Sequence, residues 1–240
     1  MGESILEHNR YQREYYDSTN KRTLRRGRSP YIDRHLDRLI DAASLERAQT
    51  ILEIGCGQGR YTLPLVDRGF KLAALDLSPV LLERLRTAAG PRDVCLVAAD
   101  IAHLPQHLMK RFDRVIGFFA LHHMHDLDLV FRGVASALKP GGILALLEPV
   151  AKNPLYYLQI MLTPKMTWRG ERGLLKMRTP IVHAALRRQG FVDCRTERFG
   201  LFPPAIVNTR IGRYLEDGLQ YRRYIRIANA FQIFSAKLPA

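Results

Sequence analysis

The stretch ILEIGCGQGRYTLPL, residues 51–65, decides how the rest of the chain is read. A short apolar run carries one carboxylate, Glu53, and then breaks into a turn with glycine at positions 55, 57 and 59 before a second apolar run begins. Glycine lets the backbone turn tightly and approach a ligand closely. Taken alone, a strand, a glycine turn and a helix in this order fit several nucleotide folds. Two details separate them. A dinucleotide turn wants glycine at its first, third and sixth positions, whereas here Arg60 stands sixth and the extra glycine comes fifth. A carboxylate at Glu53 would also repel a pyrophosphate at close range. It suits a ligand that carries positive charge.

From about residue 50 to 148 short apolar runs alternate with amphipathic ones. The runs TILEIG, FKLAALDLS, RDVCLVAAD, RFDRVIGFFAL and ILALLEP read as five strands. Between them, RYTLPLVDRG, PVLLERLRTAAG and DLDLVFRGVASALKPGG read as helices, with Pro79 at one start, Gly90 at its end, and KPGG closing the last. This order predicts an α/β fold, a doubly wound parallel sheet with helices on both faces. Near-continuous apolar strands are what burial on both faces requires. The first 48 residues read as helices, SPYIDRHLDRLIDAASL most clearly. After residue 150 come an aperiodic stretch to about 175, a helix in MRTPIVHAALRRQG, a strand in FVDCRTERFG, a break at GLFPP and a final strand over 224–238.

Acids end the first three strands in turn. Glu53 lies in the first. Asp76 ends the second, 21 residues after Gly55, where a carboxylate can accept from both hydroxyls of a ribose. Asp100 ends the third, where it can accept from an adenine amino group while the Ile101 N–H reaches a ring nitrogen. Ligands of open α/β sheets bind beyond the carboxyl ends of the strands. S-adenosylmethionine (SAM) has no phosphate and carries an ammonium and a sulfonium, so it fits this set of acids better than NAD does.

At this point the chain resembles a known family. ILEIGCGQGRYTLPL, LAALDLSPVLLERLR, AADIAHLP, FDRVIGFFALHHM and LKPGGILALLEP are similar to the successive motifs of class I SAM-dependent methyltransferases, nearest the UbiE-like and type-11 small-molecule branch. The resemblance implies a Rossmann-like seven-stranded sheet whose last strand is antiparallel, with FVDCRTERFG and NAFQIFSAKL as the closing pair. It implies SAM contacts from Glu53, Gly55, Gly57, Asp76, Asp100 and Ile101, with Gly59 and Leu77 beside them. It sets Phe118 next to the cofactor, in the loop after the fourth strand, and Tyr16 of YQREYYDS as an aromatic closing the pocket. It implies a substrate-binding lid inserted at about 150–175. We therefore divide the chain into an N-terminal helical cap, 1–48, and a SAM-binding domain, 49–240.

Methyl transfer from a sulfonium asks the protein to align the nucleophile and exclude water, with a base only where the nucleophile must lose a proton. ALHHMHD supplies His122, His123 and His125 at the end of the fourth strand. His123 aligns with a histidine common in the family and is the candidate base; packing under the cofactor loop is the other reading of it. Glu148, ending the fifth strand, is a second polar candidate at the mouth of the site.

Composition bounds the partners. Lys and Arg number 37 against 23 Asp and Glu, a formal net charge of +14. KRTLRRGR (21–28) holds five basic residues and no acid, and the stretch 152–190 holds eight against one. Such patches attract polyanions or anionic lipid. Aromatics, Met and basic residues in NPLYYLQIMLTPKMTW suit an apolar or amphiphilic small molecule. RNA or protein methylation is the alternative the charge favours. Against it, the chain has GFFALHH where base-amine methylation uses Asn/Asp-Pro-Pro-aromatic, and no nucleophilic cysteine on the fourth or fifth strand. A SAM-binding protein without transfer activity is a further alternative. Cys56, Cys95 and Cys194 are too widely spaced for a disulfide framework or a zinc pattern, and are expected in the core. With no apolar run near the roughly 18 residues of a membrane span and no apolar signal core, the expected location is cytoplasmic, with peripheral contact at an anionic membrane.

Overall fold

The computed structural model describes residues 4–17, 27, 29–153, 172–219, 222, 224 and 228–240. The basic run 21–28, apart from Gly27, and most of the expected lid lie outside them. The strands are β1 (Ile51–Ile54), β2 (Leu72–Asp76), β3 (Cys95–Ala98), β4 (Phe112–Phe118), β5 (Leu138–Pro149), β6 (Val192–Phe199) and β7 (Phe231–Lys237). The helices are α1 (Ile5–Asp17), α2 (Pro30–Ala43), α3 (Thr62–Asp67), α4 (Pro79–Ala89), α5 (Leu127–Ala137), α6 (Thr179–Arg188), α7 (Pro204–Val207) and α8 (Arg210–Leu219).

The seven strands form one sheet in the order β3-β2-β1-β4-β5-β7-β6. Strands β1 to β5 pair in parallel, and β7 runs antiparallel to both β5 and β6. This is the expected doubly wound sheet with its antiparallel closing strand. Serines and an aspartate set the helix starts. Ser29 accepts the Ile32 N–H at 3.3 Å, Ser78 accepts that of Leu81 at 3.0 Å, and Asp126 accepts those of Asp128 and Leu129. The core divides by face. Phe131, Val134, Leu186 and Phe234 lie on one side of the sheet; Leu36, Leu39, Leu63 and Leu85 lie on the other. Helix α2 thus packs into the main core.

Four readings need correction. KPGG does not close α5 as a turn. The helix stops at Ala137, Leu138 pairs at once with Phe112, and the register then jumps so that Ile143 faces Arg114. Gly141, at φ +79, lets the intervening residues loop out as a bulge. The last strand starts at Phe231 rather than 224, because the preceding backbone is tied to loops: Ala230 N–H donates to the Gly200 carbonyl at 2.6 Å, and the Asn153 amide donates to the carbonyls of Ala228 and Asn229. Two helices, α7 and α8, follow GLFPP where the sequence indicates only a break. Finally, Cys95 is exposed on edge strand β3, and Cys194 is half-buried; of the three cysteines only Cys56 is fully buried.

Candidate active site

The strand order reverses at β1, which has β2 on one side and β4 on the other. The crevice beyond the carboxyl ends of these strands is where an open α/β sheet takes its ligand. A cavity of about 940 Å³ opens there.

The glycine turn forms its floor. Gly55 and Cys56 donate N–H bonds to the Leu75 carbonyl at 2.8 and 3.2 Å, which fixes the turn against β2. Gly55 has φ +67, and a Cβ there would sit 2.4 Å from the Ala120 Cβ in the loop after β4. Only glycine allows this approach. A Cβ on Gly57 would meet no described atom within 4 Å, so its open side faces the cavity. Gly59 does not line the cavity. It packs down on α4, where a Cβ would lie 2.3 Å from Leu85 Cδ1.

Acids ring this floor. Glu53 is 2% exposed and accepts the Thr62 hydroxyl at 2.6 Å. Burial pushes its carboxyl up to about 7, with the Asp76 charge adding to the rise and the Thr62 bond opposing it. Asp76 accepts the Gly57 N–H at 2.8 Å and the Ser78 N–H at 2.9 Å, so it braces the turn and the start of α4 together. Its carboxyl is also raised, chiefly by burial. Asp100 accepts the Ala102 N–H at 2.9 Å, and Leu77 and Ile101 line the wall.

Helix α1 covers this half of the cavity. Asn9 donates to Asp100 at 2.8 Å, Asp17 bonds the Ser78 hydroxyl, and the Tyr16 hydroxyl shares a 2.7 Å hydrogen bond with His123 Nε2. Two buried amide atoms, Gln12 Oε1 and Gln58 Nε2, have no hydrogen-bond partner among the described residues. Both residues line the cavity. Orphaned polar atoms beside buried acids fit a polar, positively charged ligand, as SAM is.

The histidines divide the work. His123 ends a short 3-10 turn, Leu121–His123, and faces the cavity. Its carbonyl accepts from His8 Nε2 at 2.8 Å. Glu148 is not at the mouth, contrary to expectation. It is fully buried, and accepts the N–H groups of Ala120 and Leu121 at 3.0 and 2.7 Å and His122 Nδ1 at 2.5 Å. It holds the loop from beneath. Phe118 lies beside the crevice as expected, but as the last residue of β4 rather than in the loop. It stacks on Tyr61 with centroids 4.2 Å apart and planes at 5°.

Sequence reasoning missed the far half of the cavity, which is aromatic. His35 of α2 sits among Tyr31, Phe119 and Phe231, with ring centroids 4.4, 5.4 and 4.6 Å away. Its Nδ1 meets the Tyr61 hydroxyl at 2.8 Å. Burial, then the nearby Arg60 charge, lowers His35 to about 3, so it stays neutral. Phe119 holds φ +54, an uncommon conformation for a bulky residue that marks functional loops. These residues come from four separate segments, so no local motif announces them. The His122–Glu148 pair was missed as well: the sequence indicates both residues near the ends of neighbouring strands, but not that Glu148, inside β5, turns beneath the loop to meet His122.

Comparisons agree with this geometry. Residues 51–142 match the family model described as a methyltransferase domain. An uncharacterized methyltransferase of Mycobacterium bovis is 32% identical over 129 residues, covering 52% of this chain and 64% of that one. The chain thus spans somewhat less than two thirds of that relative's length. The ubiquinone biosynthesis O-methyltransferase of Neisseria meningitidis is 27% identical over 177 residues, covering 69% of each. Among solved structures, a phosphoethanolamine N-methyltransferase of Haemonchus contortus, with phosphomonomethylethanolamine and S-adenosylhomocysteine bound, superposes with TM-score 0.67 at 18% identity, covering 95% of this chain and 61% of that one. Residues 51–142 thus match a methyltransferase domain, and the motifs and the sheet order resemble those of the class I SAM-dependent methyltransferases.

Proposed function

We propose that this chain transfers a methyl group from SAM to a hydroxyl, amine or carbon of a small apolar or amphiphilic molecule. One observation carries the reading: a single cavity joins an acid-ringed crevice at the strand ends to a chamber walled by Tyr31, His35, Phe119 and Phe231. The first half suits a cationic nucleoside, and the second suits an apolar acceptor.

In this reading Glu53 draws the ammonium, Asp76 accepts from the ribose hydroxyls, and Asp100 with the Ile101 N–H reads the adenine. Gly55 and Gly57 give the backbone clearance, Leu77 and Phe118 pack alongside, and Gly59 keeps the turn seated on α4. SAM supplies the activated methyl. The protein's own contribution is alignment and a dry site. Tyr16 closes the cavity. The hydrogen bond between its hydroxyl and His123 Nε2 gives a route for the acceptor's proton to leave. The N-terminal segment 1–48 and the lid at about 150–175 belong to the same reading: α1 lies over the SAM half, α2 packs in the core and walls the acceptor chamber, and the lid is assigned to the acceptor. In this reading any contact with an anionic membrane is peripheral. No described helix is long and apolar enough to cross a bilayer.

The test is a pair of variants. His123→Ala should lose turnover by at least about a hundredfold, the usual contribution of a positioned acid or base, while SAM affinity by calorimetry stays within a factor of about two. Tyr16→Phe, which keeps the ring and loses only the hydroxyl that bonds His123, should lose part of that rate and likewise leave SAM affinity within a factor of about two. Normal turnover in His123→Ala would make this histidine a packing residue.

A further inference from the structure

Helix α8 is built inside out. Its protein-facing side carries Gly212 and Glu216, and its solvent-facing side carries Ile211, Tyr214 and Leu215. At Gly212 a Cβ would lie 2.0 Å from the Ile206 carbonyl oxygen of α7, so the helix is pressed close on that face. Glu216 is 1% exposed, bound to Arg34 at 2.5 Å and to the Phe202 N–H at 3.1 Å. The apolar residues, at i, i+3 and i+4, form one outward stripe: Ile211 is 74% exposed, Tyr214 80% and Leu215 45%. Ile206 of α7 and Tyr224, after the helix, are exposed as well. A surface helix normally does the reverse. An apolar stripe left in water marks an interaction surface.

The charge around the stripe names the partner. Arg210 is exposed at the start of the helix and Arg222 is exposed beyond its end, while Arg213 reaches the carbonyls of Val207 and Asn208. The helix's two acids, Glu216 and Asp217, are both held by Arg34, at 2.5 and 2.6 Å. Aliphatic and tyrosine side chains flanked by arginine are the composition of a helix that lies in the headgroup region of an anionic bilayer. A second copy of the chain fits less well, since a two-fold contact through this stripe would set arginine against arginine. The surface is also continuous with the cavity. Leu201, Phe202, Pro203 and Pro204 line it and lead directly into α7.

We propose that α8 is a membrane-docking helix, which lays Ile211, Tyr214 and Leu215 into the surface of an anionic bilayer. The inference goes beyond the methyl-transfer reading and does not depend on it, because the test reads binding alone.

The test is co-sedimentation of the full chain with vesicles of phosphatidylcholine, with and without about a third phosphatidylglycerol. The parent should pellet with the anionic vesicles, weakly with the neutral ones, and less as salt rises. Ile211→Glu with Tyr214→Glu should weaken binding by at least about tenfold, because each change removes apolar insertion and adds repulsion. Both positions face solvent, and an unchanged melting temperature checks the fold. The charge-neutral pair Ile211→Ala with Tyr214→Ala should lose a smaller factor in the same direction. A parent that stays in the supernatant would overturn the proposal. So would variants that pellet like the parent, which would move binding to another surface. Sedimentation velocity showing a dimer that the glutamate pair dissolves would overturn it too, and would make a second copy the occupant.

Discussion

Glu53 concentrates the chemistry of the site in one side chain. It is buried beside Thr62 and near Asp76, and in the folded protein it keeps its proton up to about 7 against an ordinary 4.5. Between these values the folded chain binds more protons than the unfolded one. The stability Glu53 contributes is therefore full below about 4.5 and lost as pH rises through about 7. An ammonium placed beside it reverses the balance and releases the proton. SAM affinity should then climb with pH to about 7 and level off, with proton uptake by the buffer on the acid side. Calorimetry in buffers of different ionisation enthalpy reads both, and Glu53→Gln should flatten the dependence. A parent whose affinity ignores pH would contradict the role given to Glu53. Asp76 works through geometry, since it holds the N–H groups of Gly57 and Ser78 at 2.8 and 2.9 Å as well as facing the cavity. Asp76→Ala should weaken SAM binding by more than about tenfold, the loss of charge-assisted hydrogen bonds. Unchanged affinity would mean that the cofactor lies elsewhere in the crevice.

At the scale of elements, close packing aims these side chains. A Cβ on Gly133 of α5 would fall 1.7 Å from the Ile101 carbonyl oxygen, so the helix rests directly on the backbone that follows Asp100. Gly133→Ala should push that loop away, lower stability by about 1–3 kcal/mol as overpacking does, and weaken SAM binding. A melting curve and a titration on the same sample check it; a variant as stable and as tight as the parent would show the contact to be slack. Which elements were legible follows from the same packing logic. Strands β1, β2, β4 and β5 and helices α3 to α5 stood out because each buries an apolar run, with Pro79 and Gly90 marking the ends of α4; edge strand β3 stood out by its apolar run although it is largely exposed. Helix α8 did not, because its buried face is Gly212 and Glu216. A search for apolar residues turned inward passes over a helix that turns them outward. The start of β7 was misplaced because the residues before Phe231 are bonded to Gly200 and Asn153 rather than to a neighbouring strand.

Over the whole molecule, the half of the cavity at the strand ends was readable and the aromatic half was not. Glu53 lies in β1, Asp76 ends β2 and Asp100 follows β3 by two residues, each within its own motif, so topology alone brings them together. Tyr31, His35, Phe119 and Phe231 meet only because α2, the loop after β4 and β7 converge on one chamber, and nothing local in the sequence records that. The net charge of +14 belongs to this scale as well. It draws the molecule toward anionic surfaces without itself choosing RNA, lipid or a small anion. That choice is the central claim, and labelled methyl transfer tests it most directly. The full chain is incubated with methyl-labelled SAM and host extract, and the products are divided into small-molecule, lipid, RNA and protein fractions. Label is expected in the small-molecule or lipid fraction, and is lost in His123→Ala. Label in RNA or protein, or none in any fraction from a chain that binds SAM, would contradict it.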